Sequence, residues 1–304
     1  MNKVVKWVLI VVGSLLLLLV IAAGALAVYG QTKFKPTVQR PVYPIQADTS
    51  SAGIARGKYI VNSLGGCVDC HSPQSGEFLA GHSEELALGA LKATLTFPNL
   101  TPDPASGLGS WSDAEIARAI REGLDKDGRG LIIMPAFNYH VMSDADVAAV
   151  VGYLRSLQPV QNTLPATTGN LPAKILLALG AYGPNPLGNP ITTAQNAPEP
   201  GTPEYGLYIT TLAGCHDCHG ANYAGGKRPD APPDAPHSPN LTPGGELAGW
   251  NEAGFITAMR TGLTPSGKAL DPSMMPWKVY GGMSDQDLAA IFSYLKSLDA
   301  LPNN

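Results

Sequence analysis

The pattern Cys-x-x-Cys-His occurs twice in this sequence, at Cys67–His71 and at Cys215–His219. The two motifs contain all four cysteines of the chain. No cysteine is therefore left for a disulfide elsewhere or for a free reactive thiol. The chemistry of these motifs constrains the fold of each segment more than any other feature of the sequence.

Two cysteines three positions apart lie on the same side of a helical turn. Their thiols can therefore bond to the two vinyl groups on one edge of a haem, and the histidine that follows can reach the iron. This is the pattern of c-type haem attachment. We predict two covalently attached haem c groups, bound by Cys67, Cys70 and His71 and by Cys215, Cys218 and His219.

A zinc site and a redox-active disulfide are the other interpretations of the motifs. Zinc sites use two Cys-x-x-Cys pairs that are typically about 15–20 residues apart, whereas more than 140 residues separate the pairs here. A thioredoxin-like disulfide lies beside a β-α-β pattern, which this sequence does not show. Haem is therefore the favoured interpretation.

The sequence around the first motif is repeated around the second. The matched segments are 56–60 and 205–209, 99–102 and 240–243, Trp111 and Trp250, 121–124 and 260–263, Met134-Pro135 and Met275-Pro276, Tyr139 and Tyr280, 142–146 and 283–287, and 153–157 and 294–298. The offset is 148 residues at the cysteines and 141 at most later pairs, so the first unit has a longer loop before Asn99. A period this long indicates tandem domains rather than a solenoid.

Each unit shows the pattern of three main helices in long loops. The first helix leads into the cysteine motif. Residues 112–115 form a capping-box pattern before the second. Ser143 and Ser284 begin the third, with an acidic capping-box variant that uses Asp146 or Asp287. Apolar residues follow these starts at helical spacing, which predicts an all-α, loop-rich fold.

Residues 7–29 form an apolar run of 23 residues without charge. At ~1.5 Å per residue this run spans about 35 Å, which is enough for a ~30 Å hydrocarbon core. Trp7 and Tyr29 lie at its ends, where amphipathic rings favour the membrane interface. A cleaved signal peptide is the alternative, but its apolar region usually has only about 7–15 residues. We expect a transmembrane anchor.

The charge is distributed unevenly along the chain. Residues 1–47 carry a net charge of +5, whereas residues 48–158 and 199–304 each carry −5. Nucleic-acid binding needs a basic face, so no nucleic-acid partner is expected. The connector 159–198 is rich in proline and contains a short apolar patch at 173–179, which we expect to pack on a haem domain or on a partner.

Four segments resemble a known family. They are Asn-Leu-Thr-Pro-Asp-Pro (99–104), the run 111–123, Asp-Gly-Arg (127–129) and Met-Ser-Asp-Ala-Asp (142–146). They are similar to the cytochrome subunits of membrane-bound alcohol and sugar-acid dehydrogenases. More broadly, residues 50–158 and 200–300 resemble class I cytochromes c. The family subunits usually carry three haem domains and attach to the membrane elsewhere in the chain.

The resemblance implies two tandem class I cytochrome c domains on the extracytoplasmic (periplasmic) side of the cytoplasmic membrane. The expected order is a transmembrane anchor (1–30), a linker (31–47), a first domain (48–158), the connector (159–198) and a second domain (199–304). The resemblance also implies electron-donor and electron-acceptor partners, namely a dehydrogenase or a respiratory complex. These two segments, 48–158 and 199–304, are called the first unit and the second unit below.

Met134 and Met275 are the predicted distal iron ligands. They lie 63 and 56 residues beyond their histidines, as in class I cytochromes, and each precedes a proline. Met142 and Met283 are also paired by the repeat, but each stands before a capping serine, where a hydrophobic staple is its expected contact. Met274 adjoins Met275, and we expect it to point away from the iron because adjacent residues in an extended loop face opposite sides.

The remaining candidates divide between structural and cofactor roles. Two roles are open for the tryptophans and asparagines that the repeat pairs. They either donate hydrogen bonds to the haem propionates, or the tryptophans only pack and the asparagines only hold turns. These residues are Trp111, Trp250, Asn99 and Asn240. Surface positions are expected for the histidines outside the motif ligands, which are His82, His140, His216 and His237.

The leading functional hypothesis is a membrane-anchored dihaem carrier without enzymatic activity of its own. It would transfer electrons between a membrane or periplasmic oxidoreductase and a downstream acceptor. The alternatives are a dihaem enzyme of the peroxidase or thiosulfate dehydrogenase type and the haem subunit of a terminal oxidase. An enzyme needs an open iron site or a distal histidine or cysteine, whereas a methionine is available here for each iron.

Overall fold

The computed structural model describes residues 2–34, 37–72, 78–131, 133–179, 189–228 and 235–304. Helix α1 is Lys3–Phe34. The first unit contains α2 (Ser51–Tyr59), α3 (Cys67–His71), α4 (Asp113–Glu122), α5 (Ala136–Tyr139) and α6 (Asp144–Ser156). Helix α7 (Leu171–Ala178) follows, and the second unit contains α8 (Pro203–Leu212), α9 (Cys215–His219), α10 (Glu252–Thr261), α11 (Trp277–Tyr280) and α12 (Asp285–Ser297). These described helices make the fold mostly helical.

The helix that follows the haem motif in each unit begins and ends at local sequence signals. Ser112 and Glu115 form the expected reciprocal capping box at the start of α4, and Asn251 caps α10 by accepting from the Gly254 N–H. Each helix ends at a glycine in the left-handed region, Gly123 (φ 67°) or Gly262 (φ 70°). Glycine adopts this conformation without a Cβ clash, so both helices stop at the same place.

The third helix of each unit departs from the expected capping. Ser143 and Ser284 cap α6 and α12 by accepting from the N–H three residues on. The carboxylates of Asp146 and Asp287, however, do not return to the cap backbone as the capping-box variant requires. They bind tyrosine hydroxyls instead. The acidic half of the predicted capping box was therefore wrong.

A glycine allows the first and last helices of each unit to cross closely. A Cβ at Gly57 of α2 would lie 2.0 Å from the Ala149 carbonyl oxygen of α6. A Cβ at Gly206 of α8 would lie 2.6 Å from the Ala290 oxygen of α12. Any larger residue would separate the helices, so this crossing sets the frame on which each cysteine motif is held.

The all-α expectation needs a correction in the first unit. The long loop before Asn99 contains strands β1 (His82–Leu88) and β2 (Leu91–Phe97), which pair antiparallel from His82 with Phe97 to Leu88 with Leu91. Strand β3 (Thr168–Gly169) from the connector adds to β2. Gly89 adopts φ 59° in the tight turn. The segment 91–97 alternates apolar and polar residues, which suits a half-exposed strand.

The apolar patch of the connector packs on the N-terminal helix and on β2 of the first unit, in agreement with the expected packing on a haem domain. Ala173 and Leu177 of α7 are buried, and a Cβ at Gly30 of α1 would lie 1.8 Å from the Lys174 carbonyl oxygen. Residues 180–188 of the connector, like Met1 of the anchor, lie outside the described residues. Helix α7 therefore continues the packing of the chain against the end of α1.

Among the described residues, α1 is the one helix long and apolar enough to cross a membrane, and it lies near the N-terminus. Most of its side chains are exposed, including Trp7 and Leu19. A membrane anchor and a signal sequence share these features. The helix itself matches the expected apolar segment.

Candidate functional site

A glycine in the left-handed region precedes the first cysteine of each motif. Gly66 has φ 58° and Gly214 has φ 66°, and the helical turns Cys67–His71 and Cys215–His219 begin directly after them. A residue with a Cβ is strained at such φ values. The chain therefore turns sharply into each motif, and both cysteines of each pair follow in one helical turn.

The two motif histidines are oriented identically by their backbone partners. The Nδ1 atom of His71 lies 2.8 Å from the Pro98 carbonyl oxygen, and Nδ1 of His219 lies 2.8 Å from the Pro239 oxygen. Because a carbonyl oxygen only accepts, Nδ1 carries the proton and donates it. The lone pair of Nε2 then remains available for a metal, the arrangement that carbonyl partners commonly impose on ligating histidines.

Burial keeps both imidazoles neutral. Each side chain is only 7% exposed. Burial lowers the pKa of His71 to about 4 and also lowers the pKa of His219, in both cases against the opposing effect of the proline carbonyl. Neutral imidazole is the form that binds iron. Both histidines are therefore prepared as ligands at neutral pH.

A cavity of about 480 Å³ lies beside the first motif. Cys67, Cys70, His71 and Met134 all line it. Its remaining wall is mainly apolar and includes Trp111, Ile116, Ile120, Met142 and Leu154. The volume falls within the ~300–1,000 Å³ range of cofactor pockets, and an apolar cradle with two thiols and an imidazole on one side fits a covalently attached haem.

The motif thiols form no disulfide, and burial favours the neutral thiol over the thiolate at Cys67 and Cys215. All four cysteines are free, and burial raises the pKa of Cys67 and of Cys215 to about 12. Zinc requires thiolates, and no cluster of three or more metal-binding side chains occurs in the part of the chain that the structure describes. The donor set therefore suits thioether formation better than zinc binding.

The two predicted distal methionines lie in equivalent backbone turns, one in each unit. The Met134 carbonyl accepts from the Ala136 N–H at 2.7 Å, and the Met275 carbonyl accepts from the Trp277 N–H at 2.7 Å. Each methionine is partly buried and packs against the core. Met134 shares the first cavity with Met142, so the cavity alone does not separate these two thioethers.

In the second unit, the two adjacent methionines face different surroundings. Met275 is partly buried against the core, whereas the side chain of Met274 is 36% exposed. The Asp271 carbonyl accepts from both backbone N–H groups, at 2.9 and 3.1 Å. This geometry favours Met275 over Met274 as the ligand, and the assignment of both distal ligands remains a prediction.

Asn99 and Asn240 hold turns. The Nδ2 atom of Asn99 donates to the Val160 carbonyl at 2.7 Å, and its Oδ1 accepts from the Thr101 N–H at 2.9 Å. Asn240 makes the same pair of bonds to Leu301 and Thr242. Both side chains are almost fully buried, so the polar atoms of these amides are used within the protein.

Three of the four other histidines are less exposed than expected. His82 stacks on Phe97 with ring centroids 4.9 Å apart, and Nδ1 of His140 lies 3.0 Å from the Arg121 carbonyl oxygen. His216 packs edge-on against a phenylalanine ring. Only His237 is fully exposed among these four. Aromatic rings beside His82 and His216 and a backbone carbonyl beside His140, all from residues distant in sequence, explain this burial.

Sequence reasoning missed a tyrosine in each site. The Tyr139 hydroxyl donates to the Gly65 carbonyl at 2.6 Å, and the Tyr280 hydroxyl donates to the Ala213 carbonyl at 2.7 Å. Each tyrosine thus ties the helix after the Met-Pro turn to the loop that enters the cysteine motif. Their equivalence in the repeat was a signal that could have identified them.

The comparisons with known proteins agree with this geometry. A family model described as Cytochrome c matches residues 54–158 and again residues 206–299. The diheme cytochrome c-type protein of Cereibacter sphaeroides is 26% identical over 78% of this chain and 83% of its own length. Both matched segments contain a complete cysteine motif and its Met-Pro turn.

Subunits of dehydrogenases are also similar to this chain. The cytochrome c subunit of alcohol dehydrogenase (quinone) from Gluconacetobacter polyoxogenes is 31% identical over 84% of this chain and 58% of that subunit. A nicotinate dehydrogenase subunit from Pseudomonas putida is 31% identical over 83% of this chain and 22% of that protein. The chain therefore spans less than two thirds of the length of these two relatives.

Proposed function

Because this chain belongs to the cytochrome c family and carries two haem c groups, we propose that it is a membrane-anchored electron relay. It accepts electrons from a membrane or periplasmic dehydrogenase and passes them to an acceptor in a respiratory chain. The observation that carries this proposal is the first-unit cavity, which is lined by the cysteine motif, by Met134 and by mainly apolar side chains.

The residues of each unit have distinct roles in this proposal. The cysteines would hold the haem edge, and the motif histidine, through Nε2, together with Met134 or Met275 would bind the iron. Each bound haem supplies one-electron redox chemistry. A thioether ligand would raise the reduction potential, and in the first unit the mainly apolar cavity wall would limit the access of water to the bound group. Because a methionine is available for each iron, a relay is favoured over an enzyme that needs an open iron site.

The dehydrogenase partner is inferred from the relatives. Two of them are subunits of an alcohol dehydrogenase and of a nicotinate dehydrogenase, and others are cytochrome subunits of fructose and gluconate dehydrogenases. The net charge of −5 on each unit favours a partner with a basic docking face, since complementary charge steers association.

The partner experiment is purification of the protein from native membranes together with its bound subunits. We expect a dehydrogenase subunit to co-purify and its substrate to reduce both haems, as followed by the visible spectrum. Hydrogen peroxide turnover by the purified protein, without substrate-dependent haem reduction, would instead support the dihaem enzyme.

The membrane attachment is proposed from α1, whose uncharged segment is long enough to span the bilayer. Alkaline carbonate extraction of membranes should leave the protein in the membrane fraction, and N-terminal sequencing should find residues that precede the apolar segment. A mature chain that starts at Val28, after the Ala-Leu-Ala sequence, would show that the segment is a cleaved signal. A protease added outside the cytoplasmic membrane should digest the haem units if they are extracytoplasmic.

A further inference from the structure

Two tyrosines cross between the units in a reciprocal arrangement. The Tyr59 hydroxyl of the first unit donates to Asp287 of the second at 2.5 Å. The Tyr208 hydroxyl of the second unit donates to Asp146 of the first at 2.6 Å. The tyrosines occupy equivalent positions in the repeat, and so do the aspartates. In each unit, therefore, a tyrosine donates a hydrogen bond to the other unit, and an equivalent aspartate accepts one from it.

Each of these hydroxyls also accepts a hydrogen bond from the partner unit's backbone. The Ser284 N–H donates to the Tyr59 oxygen at 3.2 Å, and the Ser143 N–H donates to the Tyr208 oxygen at 3.1 Å. These N–H groups belong to the capping residues of α12 and α6. A phenol that donates and accepts at a helix start is fixed in direction, so each tyrosine replaces the missing half of the capping box.

The same interface brings the two cysteine motifs towards each other. The Asn138 Nδ2 of α5 donates to Asp217 of the second motif at 2.6 Å, and the Phe137 and His216 ring centroids are 6.1 Å apart. On the other side, a Cβ at Gly66 would lie 3.8 Å from the Val279 Cγ1 of α11. The short helix after each Met-Pro turn thus packs beside the haem-attachment turn of the other unit.

We propose that Tyr59 and Tyr208 are positioning residues that fix the separation of the two haem sites, so that electrons pass between the units within one chain. This inference rests on the proposed relay function. In the exchange, ferrous iron in one unit is oxidised as ferric iron in the other is reduced, so no further oxidant or reductant is consumed. The tyrosines themselves carry no electron; they hold the two motifs in register.

The chain offers a matched control. The Tyr205 hydroxyl also donates to Asp287, at 2.6 Å, but both residues belong to the second unit. Tyr205→Phe therefore removes a phenol hydrogen bond from the same carboxylate as Tyr59→Phe does, without removing a bond between the units. A difference between these two variants reports on the interface and not on the carboxylate.

The experiment measures electron exchange between the two haems of the full-length protein after flash photoreduction with a small ruthenium complex. We expect Tyr59→Phe with Tyr208→Phe to slow the exchange by roughly tenfold, because two hydrogen bonds to buried carboxylates are lost. Tyr205→Phe should exchange at the wild-type rate. Soret absorption per chain and circular dichroism identify variants in which both units are folded and loaded.

An exchange rate in the double variant equal to that of the wild type would overturn the proposal, and so would equal slowing in Tyr205→Phe. If the double variant does not fold, the Tyr59→Phe and Tyr205→Phe pair gives the same decision. Because the flash supplies the electron, the result does not depend on a biological donor. If no native donor reduced the haems, the proposed function would be disproved, but the measured effect of the tyrosines on interhaem exchange would still hold.

Discussion

The two units use the same position to satisfy an aspartate in chemically different ways. In the first unit, Arg56 binds Asp146 with two hydrogen bonds of 2.8 and 3.1 Å. In the second, the equivalent residue is Tyr205, which donates one hydrogen bond of 2.6 Å to Asp287. Asp146 therefore has a cationic partner, whereas Asp287 is bound by two neutral phenols, one of them the Tyr59 hydroxyl.

This difference shows how a duplicated site can keep its geometry and change its electrostatics. Both carboxylates are buried, at 6% and 3% exposure, and a buried carboxylate needs either a counter-charge or several hydrogen bonds. The guanidinium of Arg56 also lies 5.3 Å from the centre of the Tyr59 ring. Of the two equivalent residues Arg56 and Tyr205, the charged one therefore belongs to the first unit, and this arginine lies beside the interface between the units.

The largest expected effect comes from replacing Arg56 and Tyr205, each in its own variant, by phenylalanine. Arg56→Phe leaves Asp146 with one phenol and no counter-charge, and we expect a loss of about 3 kcal/mol in the free energy of unfolding. Tyr205→Phe removes one neutral donor and should cost about 1.5 kcal/mol. Denaturant unfolding of the two variants measures this contrast, and equal losses would contradict the role assigned to the Arg56 charge.

Neutralising each aspartate should give a smaller contrast in the same direction. Asp146→Asn leaves the Arg56 guanidinium without its anion, at an expected cost of about 2 kcal/mol. The two phenols bind different oxygens of Asp287. In Asp287→Asn the amide oxygen still accepts from one phenol and the amide NH2 can donate to the other phenol oxygen, so we expect a loss of about 1 kcal/mol. Thermal unfolding followed by circular dichroism gives both values. A more destabilised Asp287→Asn variant would mean that the phenol-bound carboxylate depends on its charge.

Alkaline pH should act on the interface through Tyr59. Burial, together with the hydrogen bond to Asp287, raises the pKa of Tyr59 to about 12, whereas an unfolded tyrosine ionises near pH ~10. The stabilising contribution is complete below pH ~10 and is lost as the pH rises to about 12. Interhaem exchange in the folded wild-type protein should slow as the pH approaches about 12, where Tyr59 ionises. Tyr59→Phe should show no such step, and a step of equal size in both proteins would assign it to another group.

Local signals were enough to predict the three main helices of each unit and the helical turn of each cysteine motif. Ser112, Ser143 and Ser284 cap helices as their sequence neighbours predicted, and both cysteine motifs form single helical turns. These features can be predicted because each depends on residues that lie within about one helical turn of each other in the sequence.

Contacts between distant segments could not be predicted in this way. The Tyr59 hydroxyl bond to Asp287 joins residues 228 positions apart, and strand β3 comes from the connector to pair with β2. Asp146 looked like a capping residue because its partner, Tyr208, belongs to the other unit. The repeat identified equivalent residues in the two units, but it gave no information about which of them exchange partners across the interface.

The central claim is that each unit holds one haem between a histidine and a methionine. Its most direct test is the Met–Fe(III) charge-transfer band of the oxidised full-length protein, measured in Met134→Leu, Met275→Leu and the control Met274→Leu. Leucine keeps the volume of methionine but removes the sulfur. We predict that the first two variants each lose about half of the band, since we propose one thioether ligand in each unit, and that Met274→Leu keeps all of it. An intact band in Met134→Leu or Met275→Leu, or loss in Met274→Leu, would contradict the claim.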